Sequence, residues 1–131
     1  MRIEKNYLLP FPLEQIYAAW ISSDTVIAPA KRMKIEPVIG GLYQLFMDAN
    51  STTPSMEGQF LEIMPNQQLR YTWEWHKEGN VSEVKVRFSP ADNGTRVELS
   101  HSGFTTEQAA EMHSQGWDNY IEGLTKLLAS K

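Results

Sequence analysis

The chain has 131 residues, the size of one typical domain, and we predict a single domain over residues 1–131. Its formal net charge of −4 argues against a nucleic acid or an anionic membrane as partner, because both attract clustered basic side chains. The absence of cysteine excludes disulfides, thiolate nucleophiles and cysteine-ligated zinc sites. We find no apolar run typical of a signal peptide or a membrane span, and therefore expect a cytoplasmic protein.

The N-terminal part of the chain is predicted to form one strand and two short helices. Residues 3–9 have the composition of a strand, which Pro10 ends. A first helix is indicated by apolar residues at spacings of three and four, namely Leu13, Ile16, Tyr17 and Trp20. Residues 22–28 are predicted to form a second short helix that ends before Pro29.

After Gly40 and Gly41 the hydrophobic pattern changes to a period of two. It predicts five strands joined by short loops rich in turn formers, at residues 42–49, 57–64, 69–75, 82–89 and 95–101. Such short connections favour an antiparallel meander. In the last two strands, apolar and charged residues alternate, so we expect one covered face and one solvated face.

A long amphipathic helix is predicted over residues 105–129. Thr105 and Gln108 have the spacing of a capping box at its start. Gly116 costs a helix interior about 1 kcal/mol relative to alanine. We interpret Gly116 as allowing a neighbouring element to approach the helix closely, with Trp117 filling the space beside that contact.

Together these elements predict an α+β fold. A curved antiparallel sheet of six to seven strands would wrap around the long C-terminal helix, with the two short helices after the first strand closing its open side. A twisted sheet cannot follow a straight helix along its whole length. The remaining space is either filled by side chains or kept as a pocket.

Five short motifs give the chain a family resemblance. They lie in order at Pro12–Ile16, Gly40–Tyr43, Gly58–Trp75, Gly94–Phe104 and Gly116–Leu124. With them the chain resembles the family named for the activator of the heat-shock-protein-ninety ATPase, within the START-like (SRPBCC, pollen-allergen-like) superfamily. The resemblance implies the helix-grip fold, with an apolar cavity between the sheet and the long helix. Function stays open, because the superfamily includes chaperone activators, ligand carriers and polyketide cyclases.

The residues themselves present no catalytic constellation. His101 continues an inward-facing alternation, so it is either a hydrogen-bonded core residue or a general base on a pocket wall. Ser100 and Ser102 flank His101 but should point to the opposite face of the strand. The three histidines are far apart in sequence and have no metal-binding spacing, so we predict no metal site and no cofactor.

We therefore predict a protein that binds a small hydrophobic or aromatic molecule in an internal cavity. Large apolar side chains and a few polar groups are typical of such a site, and the predicted lining is Trp20, Tyr43, Leu45, Met47, Phe60, Tyr71, Trp73, Val86, Phe88, Leu99, His101, Met112, Trp117 and Tyr120. Two alternatives remain, a cyclase- or hydratase-like enzyme acting through His101 and a partner protein of a chaperone ATPase. A homodimer is also left open.

Overall fold

A computed structural model describes residues 1–22, 27, 30–75 and 79–130. In chain order, these residues form β1 (Arg2–Leu9), α1 (Leu13–Trp20), β2 (Arg32–Ile35), β3 (Leu42–Phe46), β4 (Met56–Met64), β5 (Gln68–Trp75), β6 (Ser82–Ala91), β7 (Gly94–Ser102) and α2 (Glu107–Ala129). The predicted order of strand, short helix, meander and long helix is confirmed. The second short helix predicted at 22–28 falls mostly on residues outside those described.

The strands form one antiparallel sheet. Within the described residues it has seven strands in the order β1-β7-β6-β5-β4-β3-β2. Strand β4 carries an irregularity between Phe60 and Glu62, where its register against β5 shifts. Such a bulge bends a strand and increases its twist. The bulge in β4 therefore helps the sheet to curve around α2, as the predicted fold requires.

Strand β2 was not among the strands predicted one by one. It has only four residues, and its sequence "RMKI" is half basic, which hides its alternation. In the structure Met33 and Ile35 are buried and pair with Leu45 and Tyr43 of β3. The basic residues Arg32 and Lys34 alternate with them on the sheet's edge strand, where charge discourages pairing with another chain.

One face of the sheet is buried and the other is solvated, as predicted. Val84, Val86 and Phe88 of β6 are buried together with Val97 and Leu99 of β7. The intervening charged residues point away from the core, and among them Arg70 of β5 and Glu83 of β6 form an ion pair at 3.3 Å. The alternation in the sequence therefore assigned the faces of β6 and β7 correctly.

The N-cap of α2 lies one residue later than the sequence suggested, and the helix itself begins at Glu107. The cap is Thr106, whose Oγ1 accepts a hydrogen bond from the Ala109 backbone N–H at 3.1 Å. An N-cap side chain reaches the N–H two or three residues further on. Thr105 therefore lies one residue too early, and the predicted capping box with Gln108 is wrong. The helix has 23 residues, which corresponds to about 34 Å.

Two side chains of strand β1 form hydrogen bonds with Asp118 in the middle of α2. The Tyr7 hydroxyl donates to Asp118 Oδ1 at 2.8 Å, and Lys5 Nζ donates to Asp118 Oδ2 at 3.2 Å. The carboxylate accepts both bonds, which holds the pKa of Asp118 below its usual range. Asp118 thus contacts β1 on the exposed side of α2, whereas its neighbours Trp117 and Tyr120 are buried.

Candidate functional site

A cavity of about 300 Å³ lies between the N-terminal half of α2 and the sheet. Its helix wall consists of residues that recur at spacings of three and four and so share one face of α2, namely Ala109, Met112, His113, Gly116, Trp117 and Tyr120. The opposite wall comes from the ends of β3 and β5 and from the segment before β2, with Leu45, Met47, Trp73, Trp75, Ile27 and Ala30. The volume is within the range of small-molecule sites.

Six of the predicted site residues lie together on this cavity. They are Leu45, Met47, Trp73, Met112, Trp117 and Tyr120. Whether they touch a ligand stays a prediction. Sequence reasoning missed six other wall residues. The helical period that selected Met112 and Trp117 also contains Ala109, His113 and Gly116, and Trp75 alternates with Trp73. No periodic signal pointed to Ile27 or Ala30.

The other eight predicted residues lie in the packed core and not on the cavity wall. They are Trp20, Tyr43, Phe60, Tyr71, Val86, Phe88, Leu99 and His101. The reason is the position of α1, whose Trp20 fills the space between the sheet and α2. Its ring is stacked on Trp117 at 6.0 Å and meets Phe88 edge-on at 5.7 Å. The cavity therefore lies towards the N-terminal end of α2.

Gly116 does not allow a close approach to a neighbouring element. A Cβ built on it would meet none of the described atoms within 4 Å, apart from its own helix and chain neighbours. The close-contact interpretation is therefore wrong. Gly116 instead adjoins open space on the cavity wall, beside Met112, whose side chain is 64% exposed. Both residues are exposed and line the cavity, so its mouth lies beside them.

His101 is held in a hydrogen-bonded chain behind the wall. Trp117 Nε1 donates to His101 Nδ1 at 3.0 Å, and His101 Nε2 lies 2.7 Å from Ser82 Oγ. An indole nitrogen can only donate, so Nδ1 carries no hydrogen and a neutral ring bears it on Nε2. His101 Nε2 then donates to Ser82 Oγ, which donates to the Trp73 carbonyl oxygen at 3.2 Å.

This chain makes His101 a structural residue. Its ring is fully buried, and burial together with the nearby His113 lowers its pKa to about 3. Both ring nitrogens are engaged, so His101 has no free lone pair with which to take a proton. Ser82 is its real serine partner. Sequence patterns along single strands do not predict this pair, because it forms between strands β6 and β7.

Three tyrosine hydroxyls form a second polar cluster, which extends from Tyr120 on the cavity wall to Tyr43 and Tyr71 in the core. The Tyr43 and Tyr120 hydroxyls lie 3.3 Å apart, and Trp20 Nε1 donates to the Tyr71 hydroxyl at 3.1 Å. Burial raises the pKa of Tyr43, Tyr71 and Tyr120 well above the ordinary value. The hydroxyls are therefore neutral, and the cluster carries no charge into the cavity.

Two polar groups at the cavity, Trp73 Nε1 and His113 Nε2, belong to neither of these hydrogen-bonded clusters. Trp73 is 8% exposed, and its buried Nε1–H has no hydrogen-bond partner among the described residues. Half-buried His113 donates from Nδ1 to the Ala109 carbonyl oxygen at 2.8 Å, which leaves Nε2 as the nitrogen turned to other partners. The two rings are 6.0 Å apart, centre to centre. No described wall residue is Asp, Glu, Lys or Arg.

The described residues also bear on metal binding and on membrane spans. Within that part of the chain, no three His, Asp or Glu side chains are grouped so that they could hold a metal ion. None of the described helices is both long and apolar enough to cross a membrane.

Comparisons with known proteins agree with the fold. The model of the family described as "Activator of Hsp90 ATPase homolog 1-like protein" matches residues 10–129. Protein MLL2253 from Mesorhizobium loti has a similar structure with a TM-score of 0.85 and 21% identity, over 100% of this chain and 98% of that one. PFC0360w, an HSP90 activator from Plasmodium falciparum, gives 0.84 and 22%, over 98% and 96%.

An Aha1 dimer from Colwellia psychrerythraea is also similar, with a TM-score of 0.77 and 16% identity over 95% of this chain and 93% of that one. No curated protein matches the sequence. At these identities the solved structures establish the fold alone. They confirm the predicted helix-grip architecture.

Proposed function

The chain belongs to the Activator of Hsp90 ATPase homolog 1-like family, and from that premise we propose that it binds small planar apolar molecules in the cavity beside α2. The observation that carries the proposal is the composition of the wall. Three indoles and a phenol ring surround about 300 Å³ of space, and two methionines lie among them. Flat rings favour flat apolar ligands, and methionine adapts to varied shapes.

The size of the cavity sets the scale of the ligand. An apolar cavity of about 150 Å³ admits benzene in another protein. The cavity here has room for about two fused rings. Its mouth at Gly116 and Met112 gives such a molecule a route to the indole rings of Trp73 and Trp117. Naphthalene, which has no polar group, is therefore a suitable probe of this proposal.

The test is a naphthalene titration followed through the indole N–H signals in a nitrogen–proton correlation spectrum. We expect saturable shifts of the Trp73, Trp75 and Trp117 signals. Gly116→Leu should weaken binding at least tenfold, because a Cβ at this position meets none of the described neighbours and the larger side chain would occupy space at the mouth of the cavity. Asn119→Leu, a matched change on the exposed side of α2, should leave binding unchanged.

Three results bear on this proposal. Saturable binding that is lost only in Gly116→Leu supports it. Absence of saturable shifts in the wild-type protein overturns it. Equal binding by the wild-type protein and Gly116→Leu also overturns it, because the ligand would then occupy another site.

A role as partner of a chaperone ATPase is the second candidate. It is favoured by the family and by the fold shared with an HSP90 activator, over 98% of this chain. The test is the ATP turnover of a purified Hsp90 with and without this protein. Stimulation that Gly116→Leu does not alter would support a partner role separate from the cavity, whereas unchanged turnover would count against it.

A further inference from the structure

Half-buried His113 on the cavity wall has a ring nitrogen that can accept a hydrogen bond from the ligand. We infer that His113 is an anchor for the ligand, and that the preferred ligands are planar aromatic molecules bearing a hydroxyl group on the ring. The inference rests on the proposed function, since it concerns the chemistry of the same cavity.

The tautomer of His113 is set by its own helix. Nδ1 lies 2.8 Å from the Ala109 carbonyl oxygen, which can only accept, so Nδ1 carries a hydrogen. In the neutral ring Nε2 therefore has a lone pair and accepts a hydrogen bond. An aromatic hydroxyl is a complementary donor. His113 Nε2 and the ligand's hydroxyl then share one proton. The total charge of the pair is the same whether that proton is on the oxygen or on the nitrogen.

The surroundings of His113 favour this partner over others. Its ring lies among Trp73, Trp75, His101 and Phe104, at centroid distances of 4.9–6.2 Å. His101 is neutral and its nitrogens are engaged, so it does not compete for the ligand's hydroxyl. Tyr120 and Trp117 already bond to Tyr43 and His101. A hydrogen bond among such apolar rings is electrostatically stronger than one in open water.

The unpartnered Trp73 N–H is a second, independent indication. A buried donor without a partner costs about 1–3 kcal/mol. A hydroxyl oxygen can donate to one group and accept from another at the same time. The Trp73 and His113 ring centres are 6.0 Å apart, and both rings line the cavity. A ligand hydroxyl on His113 Nε2 that also accepted from the Trp73 N–H would remove this cost.

The test compares three probes of the same ring system: 2-naphthol, 2-methoxynaphthalene and naphthalene. 2-Methoxynaphthalene keeps the oxygen and loses the donor hydrogen. For the wild-type protein we expect 2-naphthol to bind five- to tenfold more tightly than 2-methoxynaphthalene, the effect of one net hydrogen bond. His113→Phe keeps an aromatic ring and should reduce this ratio to about one. His113→Gln returns an amide near the Nε2 position and should partly restore it.

The outcomes separate this inference from the proposed function. If naphthalene binds but the two substituted probes bind equally, the role of His113 as anchor is refuted. The proposed binding of apolar molecules in the cavity is then still supported. If His113→Phe keeps the preference for 2-naphthol, another group is the anchor and the inference is again wrong. If no probe binds the folded wild-type protein, both proposals fail. Should His113→Phe not fold, as judged by circular dichroism, His113→Leu, which also has no hydrogen-bonding group, replaces it in the same titration, and a ratio retained in His113→Leu refutes the inference.

Discussion

Mild acid should destabilise this protein through His101. The ring is fully buried and neutral, and its pKa is lowered from the ordinary 6.5 to about 3. In the unfolded chain the same ring takes up a proton near pH 6.5. Between these two values the unfolded state therefore binds more protons than the folded state, and stability falls as the pH falls. Above pH 6.5 neither state is protonated, and the effect is absent.

The size of the loss follows from the gap between the two pKa values. Where only the unfolded state holds the proton, the free energy of unfolding falls by about 1.36 kcal/mol per pH unit. Integrating from pH 7.5 to pH 5.0 with an unfolded pKa of 6.5 gives a loss of about 2 kcal/mol. This is a large fraction of the 5–15 kcal/mol that typically separates folded from unfolded domains.

The assay is urea denaturation at several pH values between 7.5 and 5.0, for the wild-type protein and for His101→Gln. The variant should be less stable at pH 7.5, because the bonds to Ser82 and Trp117 are altered, but it should lack the His101 share of the acid-induced loss. The other titrating groups are the same in both proteins, so the difference between the two pH profiles isolates His101. Identical profiles, or a His101 ring signal that titrates near pH 6.5, would refute the reasoning.

Two further predictions use matched pairs of substitutions. Gly116→Ala should raise the free energy of unfolding by about 1 kcal/mol, because its Cβ enters open space, whereas Gly58→Ala should lower it by about 1–3 kcal/mol, because its Cβ collides with the Thr72 carbonyl oxygen. Urea denaturation of both variants checks this, and a destabilised Gly116→Ala would show that the space is filled. Thr106→Ala should cost about 1 kcal/mol through loss of the cap, and Thr105→Ala much less. Equal melting temperatures for these two variants would contradict the assignment of the cap.

The sequence predicted the fold through its periodicities. A period of two placed Val84, Val86 and Phe88 on one face of β6, and spacings of three and four placed Trp117, Tyr120 and Leu124 on the buried face of α2. These signals are local, because each depends only on which neighbours along one element share a face. Strand β2 was not predicted, because four residues, two of them basic, are too few to establish a period.

The same local signals could not say which buried residues border empty space. Inward-facing Trp20, Tyr71 and His101 satisfy the pattern as well as Trp73 and Trp117 do. What separates the two groups is tertiary packing: α1 brings Trp20 against Trp117 and Phe88, and Trp73 and Trp117 lie against His101.

The sequence by itself therefore determined the family, the order of the elements and the inward faces of the strands and of α2. Only the tertiary structure decided the position of the cavity, the pairing of Ser82 with His101 and the open space beside Gly116. The physical reason is that a cavity is the volume left over after several elements have packed together. Its place depends on distances between residues far apart in the chain, and no single element encodes those distances.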